Sequence, residues 1–331
     1  NHIKFSWHST DAVVVYYVYD EPCSTAATVM ASYMNWPLIP YESRQDVQNL
    51  VSLLSYYKPR YIFICGYIDS RDEQIFNNLE GRKVFLKNAE EINLLNYYFH
   101  IIDWQNGIKS NLPDPYKNIY TKEIANKDFK NKVEKVNSLS DARLTNIVYN
   151  PGYYLVLYSK NGTFGVDYST AATALGAYRG AVAIENASNL TTTAQVRNRI
   201  EYWLGTGPGT KYVVLFGAGT STEIPAFAIP DPVDDGNSDI LEPGGMASDG
   251  IIYSDFFYET DRTTYEQGDI GIWSGWEPWY FVGRLVTKSE DRNAYSLLAY
   301  ISLLKKYELG LLDSNKYKYR SVITLPIIIF D

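Results

Sequence analysis

Sulfur and imidazole are scarce in this chain of 331 residues, which has two cysteines, three methionines and three histidines. No histidine follows His100 and no cysteine follows Cys65. A thiolate nucleophile needs a histidine beside it, to hold it ionised and to protonate the leaving group. The chain beyond residue 100 therefore offers no such pair of its own. Positive charge is also short: 30 Lys and Arg stand against 38 Asp and Glu, a net charge of −8 and a pI near 5.1. Phosphate binding needs a basic surface, so nucleic acid is excluded as the main partner. The one basic stretch, 122–135, is interleaved with acids and reads as a solvated helix face. No apolar run reaches the length of a membrane span, and the run at 322–330 reads as a buried strand. The scarcity of methionine removes an oxidation-prone side chain. No initiator methionine or signal peptide opens the sequence, which reads as a processed or trimmed product.

What the chain does have is apolar and aromatic weight. Apolar residues make up 46% and charged residues 21%, the balance of a folded protein, and the length suffices for two ordinary domains. There are 30 tyrosines. An apolar ring with a polar tip suits edges, interfaces and extracellular surfaces, so the composition points outside the cell or to its surface. Sequons at Asn161, Asn186 and Asn189 permit glycosylation there. Cys23 follows one apolar run and Cys65 ends another. In a parallel sheet both would lie at the C-terminal edge, where a Cys23–Cys65 disulfide and two buried free thiols fit equally well.

A repeat organises the chain. STAAT occurs at 24–28 and again at 169–173. Each copy starts with an apolar run, at 12–18 or 153–158, and continues with an Ala-rich helix and a short apolar piece. A second helix follows, at 44–57 or 192–204, and then a strand ending in Gly66 or Gly217. Continuous apolar strands alternating with helices predict an α/β fold: two Rossmann-like or caspase-like three-layer units with mainly parallel sheets. The expected limits are 1–104 for the first unit, 105–145 for a connector with a charged helix, and 146–331 for the second unit. Segments 82–86 and 98–102 are expected to add strands to the first. Ser24 and Ser169, or the threonine beside each, read as helix caps. The small residues of STAAT let each helix pack closely.

The second unit holds the candidate sites. Asp235, Asn237 and Asp239 alternate in an acidic Gly/Pro loop at 231–249, with Asp249 at its end. Oxygen ligands at alternate positions suit calcium, although Ile240 and Met246 break the EF-hand pattern, and a solvated acidic loop is the other reading. Gly217-Ala218-Gly219 is only a fragment of a phosphate-binding turn, and Ile224-Pro225 follows instead of a helix, so nucleotide binding is rejected. Trp273, Trp276, Trp279 and Tyr280 form an aromatic cluster, to be read as a lid over the sheet edge or as an exposed contact surface. Arg284, at a strand end, is expected to pair with Asp249 or Asp255.

The ordered set from 211 to 308 resembles the first part of the catalytic subdomain of gingipain-type cysteine peptidases. The resemblance rests on a strand with a Gly turn and Ile224-Pro225, on Ser248-Asp249 with Tyr253 nearby, on Phe281-Val282-Gly283-Arg284, and on a helix closing with Tyr307-Glu308. It implies a caspase-like fold with a smaller preceding subdomain, bound calcium, and structural roles for Ser248, Tyr253, Gly283 and Arg284. It also implies peptide hydrolysis by a cysteine and a histidine, which in the family lie beyond the strand that resembles 320–330. The expectation is thus the N-terminal portion of a cysteine endopeptidase, itself non-catalytic. The alternative is a non-enzymatic cell-surface or assembly protein on the same scaffold. A missing C-terminal segment or another protein chain is expected to cover the 320–330 strand. Sequence leaves one internal dyad open, Cys65 with His100. More weakly, 24–43 and 58–66 resemble the cell-wall-binding repeats of bacterial surface proteins.

Overall fold

The computed structural model describes residues 10–105, 153–162, 164–206, 211–230, 251–259, 279–287 and 294–308. The first unit runs β1 (Ala12–Tyr17), α1 (Glu21–Met34), β2 (Leu38–Tyr41), α2 (Arg44–Tyr57), β3 (Tyr61–Cys65), α3 (Ser70–Asn77), β4 (Arg82–Leu86) and α4 (Ala89–Gln105). The second runs β5 (Tyr153–Tyr158), α5 (Gly165–Arg179), β6 (Ala183–Asn186), α6 (Thr193–Leu204), β7 (Lys211–Phe216), β8 (Phe227–Pro230), β9 (Ile251–Ser254), α7 (Phe256–Glu259), β10 (Phe281–Leu285) and α8 (Ala294–Glu308). The first sheet has the order β2-β1-β3-β4 and the second β10-β7-β5-β6, with every neighbour parallel. These are the same order: the first strand lies inside, the second on one side, the third and fourth on the other. β3 and β5 are buried along their whole length, which explains their unbroken apolar sequence. The α/β class with two parallel units is therefore the observed fold. β8 and β9 form a separate antiparallel pair between β7 and β10.

The repeat extends to individual hydrogen bonds, but STAAT does not cap its helices. α1 starts at Glu21, and Asp20 caps it by accepting from the Cys23 N–H at 3.2 Å; α5 starts at Gly165 without a side-chain cap. Ser24 and Ser169 lie inside the helices. They donate to the carbonyls of Glu21 (2.9 Å) and Val166 (3.0 Å), while Thr28 and Thr173 donate to those of Ser24 and Ser169. A hydroxyl within a helix turns back to the preceding turn in this way when the terminal N–H groups are out of reach. The small residues also bring α1 and α5 against each other. Ser32 Oγ donates to the Ala177 carbonyl at 3.2 Å, and these two residues are 145 apart, the spacing of the repeat itself. A Cβ on Gly176 would meet Val29 Cγ2 at 3.1 Å.

The expected strand at 98–102 belongs instead to α4, which is helical from Ala89 to Gln105. The misreading has a physical cause. α4 lies between the two units, so Ile92, Leu95, Tyr97, Phe99 and His100 are all buried. A helix covered on most sides loses its polar stripe and its apolar run looks like a strand. One continuous apolar core, containing Val29, Leu95, Phe99, Leu155, Leu175 and Trp203, runs from the first unit into the second.

α4 also completes the second sheet. β6 is its outer strand, and Ile184 directs its backbone outward. Asn93 takes both groups: its Oδ1 accepts from the Ile184 N–H at 3.2 Å and its Nδ2 donates to the Ile184 carbonyl at 2.8 Å. Asn96 Nδ2 donates to the Ala181 and Val182 carbonyls at 2.8 and 3.0 Å. The side chains of a helix thus stand where a neighbouring strand would.

Candidate active-site frame at the edge of the second sheet

Parallel α/β sheets place their sites at the C-terminal ends of the strands, and the Gly217 turn, Ile224-Pro225 and Arg284 meet there. β7 ends in Gly217, whose φ of +148° suits glycine; a Cβ would also meet Glu223 Oε2 at 3.1 Å. Glu223 closes the following turn by accepting from the Ala218 N–H at 2.5 Å. The turn leads to Ile224-Pro225, and the Pro225 carbonyl accepts from the Tyr258 hydroxyl at 2.6 Å.

Arg284 ties these parts together. It pairs with Asp255, Nε to Oδ2 at 2.7 Å and Nη2 to Oδ1 at 2.6 Å. Its Nη1 donates to the Gly217 and Ile224 carbonyls at 2.9 and 2.8 Å, and Nη2 reaches the Pro225 carbonyl at 3.4 Å. A planar fork matched to a carboxylate and three carbonyls joins β10, the end of β7, the Ile-Pro turn and the residue after β9. Asp255 is one of the two partners expected from sequence; the other, Asp249, lies outside the described residues. The Arg284 side chain is 13% exposed, with its donors turned toward these protein partners.

The two thiols and the His100 imidazole are also built into the packing. Cys23 and Cys65 are free thiols, both buried. Burial pushes both thiols well above the ordinary cysteine range, and at Cys23 the hydrogen bond to Asp20 adds to the rise. Such sulfurs stay protonated at neutral pH and are shielded from substrate. His100 has its two ring nitrogens at 2.9 and 3.0 Å from the carbonyls of Asn96 and Gly180, and its face stacks on Tyr33 with centroids 3.7 Å apart. Both ring nitrogens thus face backbone carbonyls, which argues against the Cys65–His100 dyad.

Two charged residues take places at this sheet that the sequence did not indicate. Glu259 Oε1 accepts from the Val282 N–H of β10 at 3.1 Å, and burial raises its carboxyl above the ordinary value. Lys211 opens β7 at the opposite edge. It is buried, with Nζ 3.2 Å from the Gly205 carbonyl and over the Tyr280 ring, and burial lowers its pKa to about 8. A lone lysine at the head of an apolar strand was the available signal.

Asp235, Asn237, Asp239, Ser248, Asp249, Trp273, Trp276 and the 320–330 strand lie outside the described residues. Tyr253 is on β9 opposite Ala228. Gly283 is on β10, and a Cβ there would meet nothing within 4 Å. Trp279 is half-buried and Tyr280 buried, its hydroxyl donating to the Gly205 carbonyl at 2.6 Å. Asn189 is exposed; Asn161 is exposed with its amide donating to the Ser188 carbonyl, and Asn186 is half-buried with its Oδ1 accepting from Ser188. Among the described residues, no group of three or more His, Cys, Asp or Glu is arranged to hold a metal ion, and no helix is long and apolar enough to cross a membrane. Comparison with protein-family models, curated proteins and solved structures gives no match.

Proposed function

We propose that this chain is the scaffold-bearing N-terminal portion of an extracellular gingipain-type cysteine endopeptidase, with the nucleophilic cysteine and its histidine supplied by sequence after residue 331. The observation that carries this reading is the Arg284 staple. The strand with its Gly turn, the Ile-Pro pair and the Phe-Val-Gly-Arg strand end were recognised as an ordered set, and one side chain joins them at the edge where such folds act. On this reading the second unit holds the frame against which the later segment seats its thiolate, which attacks the peptide carbonyl while the histidine protonates the departing amine. The loop with Asp235, Asn237, Asp239 and Asp249 is the proposed calcium site. A C-terminal segment or another protein chain is the proposed cover for the 320–330 strand.

A second reading is a non-enzymatic cell-surface or assembly protein on the same scaffold. It is favoured by the consumption of Cys23, Cys65 and His100 in packing. The test is the complete gene product, assayed on a broad set of peptides with and without a thiol alkylator. Cleavage abolished by alkylation supports the peptidase. A folded product that cleaves nothing favours the second reading. A rise in melting temperature at millimolar calcium supports the metal loop, and no shift removes it.

A further inference from the structure

We propose that the first unit carries a binding site for an organic ammonium ion, built from Tyr19, Tyr67 and the acids at the C-terminal edge of its sheet. β1 and β3 are neighbours there, and β1 leads on to β2 on one side while β3 leads on to β4 on the other. The crevice beyond such a pair of strand ends is where α/β sheets bind ligands. The loops after the two strands meet: a Cβ on Gly66 would touch Tyr17 Cβ at 3.3 Å and Asp20 Cβ at 3.5 Å. Each loop presents a tyrosine to solvent, Tyr19 at 67% exposure and Tyr67 at 69%. The Tyr19 ring is exposed yet fixed. Its hydroxyl donates to Glu42 Oε1, and its ring meets the Tyr17 ring edge to face at 5.6 Å. An aromatic face that is held in place without being covered receives a ligand at little cost in entropy.

The charge around this face is negative. From Tyr19 a row of rings runs inward through Tyr17 to Tyr41, with the last two centroids 5.7 Å apart. At its inner end the Tyr41 hydroxyl donates to Asp72 Oδ2. Asp72 is 4% exposed, and its other oxygen, Oδ1, has no donor among the described residues. Asp46 accepts from the Ser43 N–H at 3.0 Å and Asp69 from the Arg71 N–H at 2.7 Å. Among the described residues, no Lys or Arg side chain pairs with Glu42, Asp46, Asp69 or Asp72. The tyrosine hydroxyls feel this field. That of Tyr19 is raised by the hydrogen bond to Glu42 and by the charges of Glu42 and Asp46; that of Tyr41 is raised by burial and then by Asp72 and Asp69. The second unit answers its edge carboxylate, Asp255, with Arg284, whereas the first has acids and rings without the cation. No group of three or more His, Cys, Asp or Glu among the described residues is arranged to hold a metal ion, so the fitting cation is an organic one. Ring faces and carboxylates attract an alkylammonium group together.

The test titrates tetramethylammonium into residues 1–331 at constant ionic strength, with tert-butanol as an uncharged analogue of similar shape. NMR follows the tyrosine ring signals, assigned with Tyr19→Ala and Tyr67→Ala. Saturable shifts of both rings are expected with the cation and none with the alcohol. Tyr19→Ala should weaken binding by roughly two- to fivefold, as for one exposed cation–π contact. Glu42→Gln keeps an acceptor for the Tyr19 hydroxyl, removes a charge, and should also weaken binding. A lysine amide blocked at its α-nitrogen, titrated in parallel, separates two sources of the ammonium group: tighter binding than tetramethylammonium assigns the site to a basic side chain, weaker binding to a small amine. The proposal is overturned if neither cation gives a saturable shift or if the alcohol binds as well as the cation. It is also overturned if Tyr19→Ala and Glu42→Gln, at wild-type melting temperature, both bind as the wild type does.

Discussion

β2 and β6 hold the same place in two copies of one unit, each the outer strand beside the first, yet their free edges are protected by different means. On β2 the carbonyls of Pro37 and Tyr41 face β1, so the alternate residue Pro40 faces outward. Proline has no N–H to offer there, which blunts the edge against another chain. On β6 the outward groups remain and α4 answers them with Asn93 and Asn96. One edge is closed by removing a donor, the other by supplying partners from the neighbouring unit. The difference shows how a duplicated unit becomes part of one molecule: the first copy keeps a self-sufficient edge, and the second depends on the first. The fourth strands differ too. β4 ends in the apolar pair Phe85-Leu86, whereas β10 ends with Arg284 and its carboxylate and carbonyl partners.

The largest expected effect comes from removing that charged staple. Arg284→Ala leaves Asp255 without its partner and should destabilise the protein by about 3–5 kcal/mol in denaturant unfolding. A loss below about 1 kcal/mol would mean that β10 is held as β4 is, by strand pairing and packing without a charged staple.

Next come the edge substitutions. Asn93→Ala strands both backbone groups of Ile184 and should cost about 1–3 kcal/mol, with hydrogen exchange rising at 181–184. Wild-type protection there would show that α4 does not serve as the missing strand.

These edge contacts were the least visible feature in the sequence. β3 and β5 could be read because strands covered on both faces are apolar throughout, and the pairing of Arg284 with Asp255 followed from a strand-end arginine near acids. Asn93 and Asn96 looked like any polar helix positions, because their partners lie 91 and 85 residues away and belong to a strand edge that only the docked units define. The same docking hid α4 at 98–102 by burying its face. Asp20, not Ser24, caps α1 because the helix begins one turn before STAAT, and nothing in the repeat marks that start.

Glu259→Gln should have a smaller effect that depends on pH. The folded carboxyl is raised above its ordinary 4.5, so the stability it contributes is full below that value and is lost as pH rises through the folded value. The glutamine variant keeps an acceptor for Val282 and loses the titration. Its stability relative to wild type should therefore improve as pH rises above about 4.5. A pH-independent difference would remove Glu259 as the titrating group at this edge.

Pro40→Thr should change stability least, within about 0.5 kcal/mol, because the side chain is exposed. Its expected effect is on association: the restored N–H should promote self-association at high concentration, measured by light scattering. An unchanged association state would show that the β2 edge is guarded by something other than the proline.

We expect both thiols, Cys23 and Cys65, to serve packing and neither to serve chemistry. The direct measurement is thiol reactivity toward a chromogenic disulfide reagent at neutral pH, with residues 1–331 folded and then denatured, alongside peptide cleavage. The expected result is that neither thiol reacts while the chain is folded, that both react in denaturant, and that no peptide is cut. A thiol that reacts faster in the folded chain than in the denatured one, together with cleavage that its modification abolishes, would contradict it.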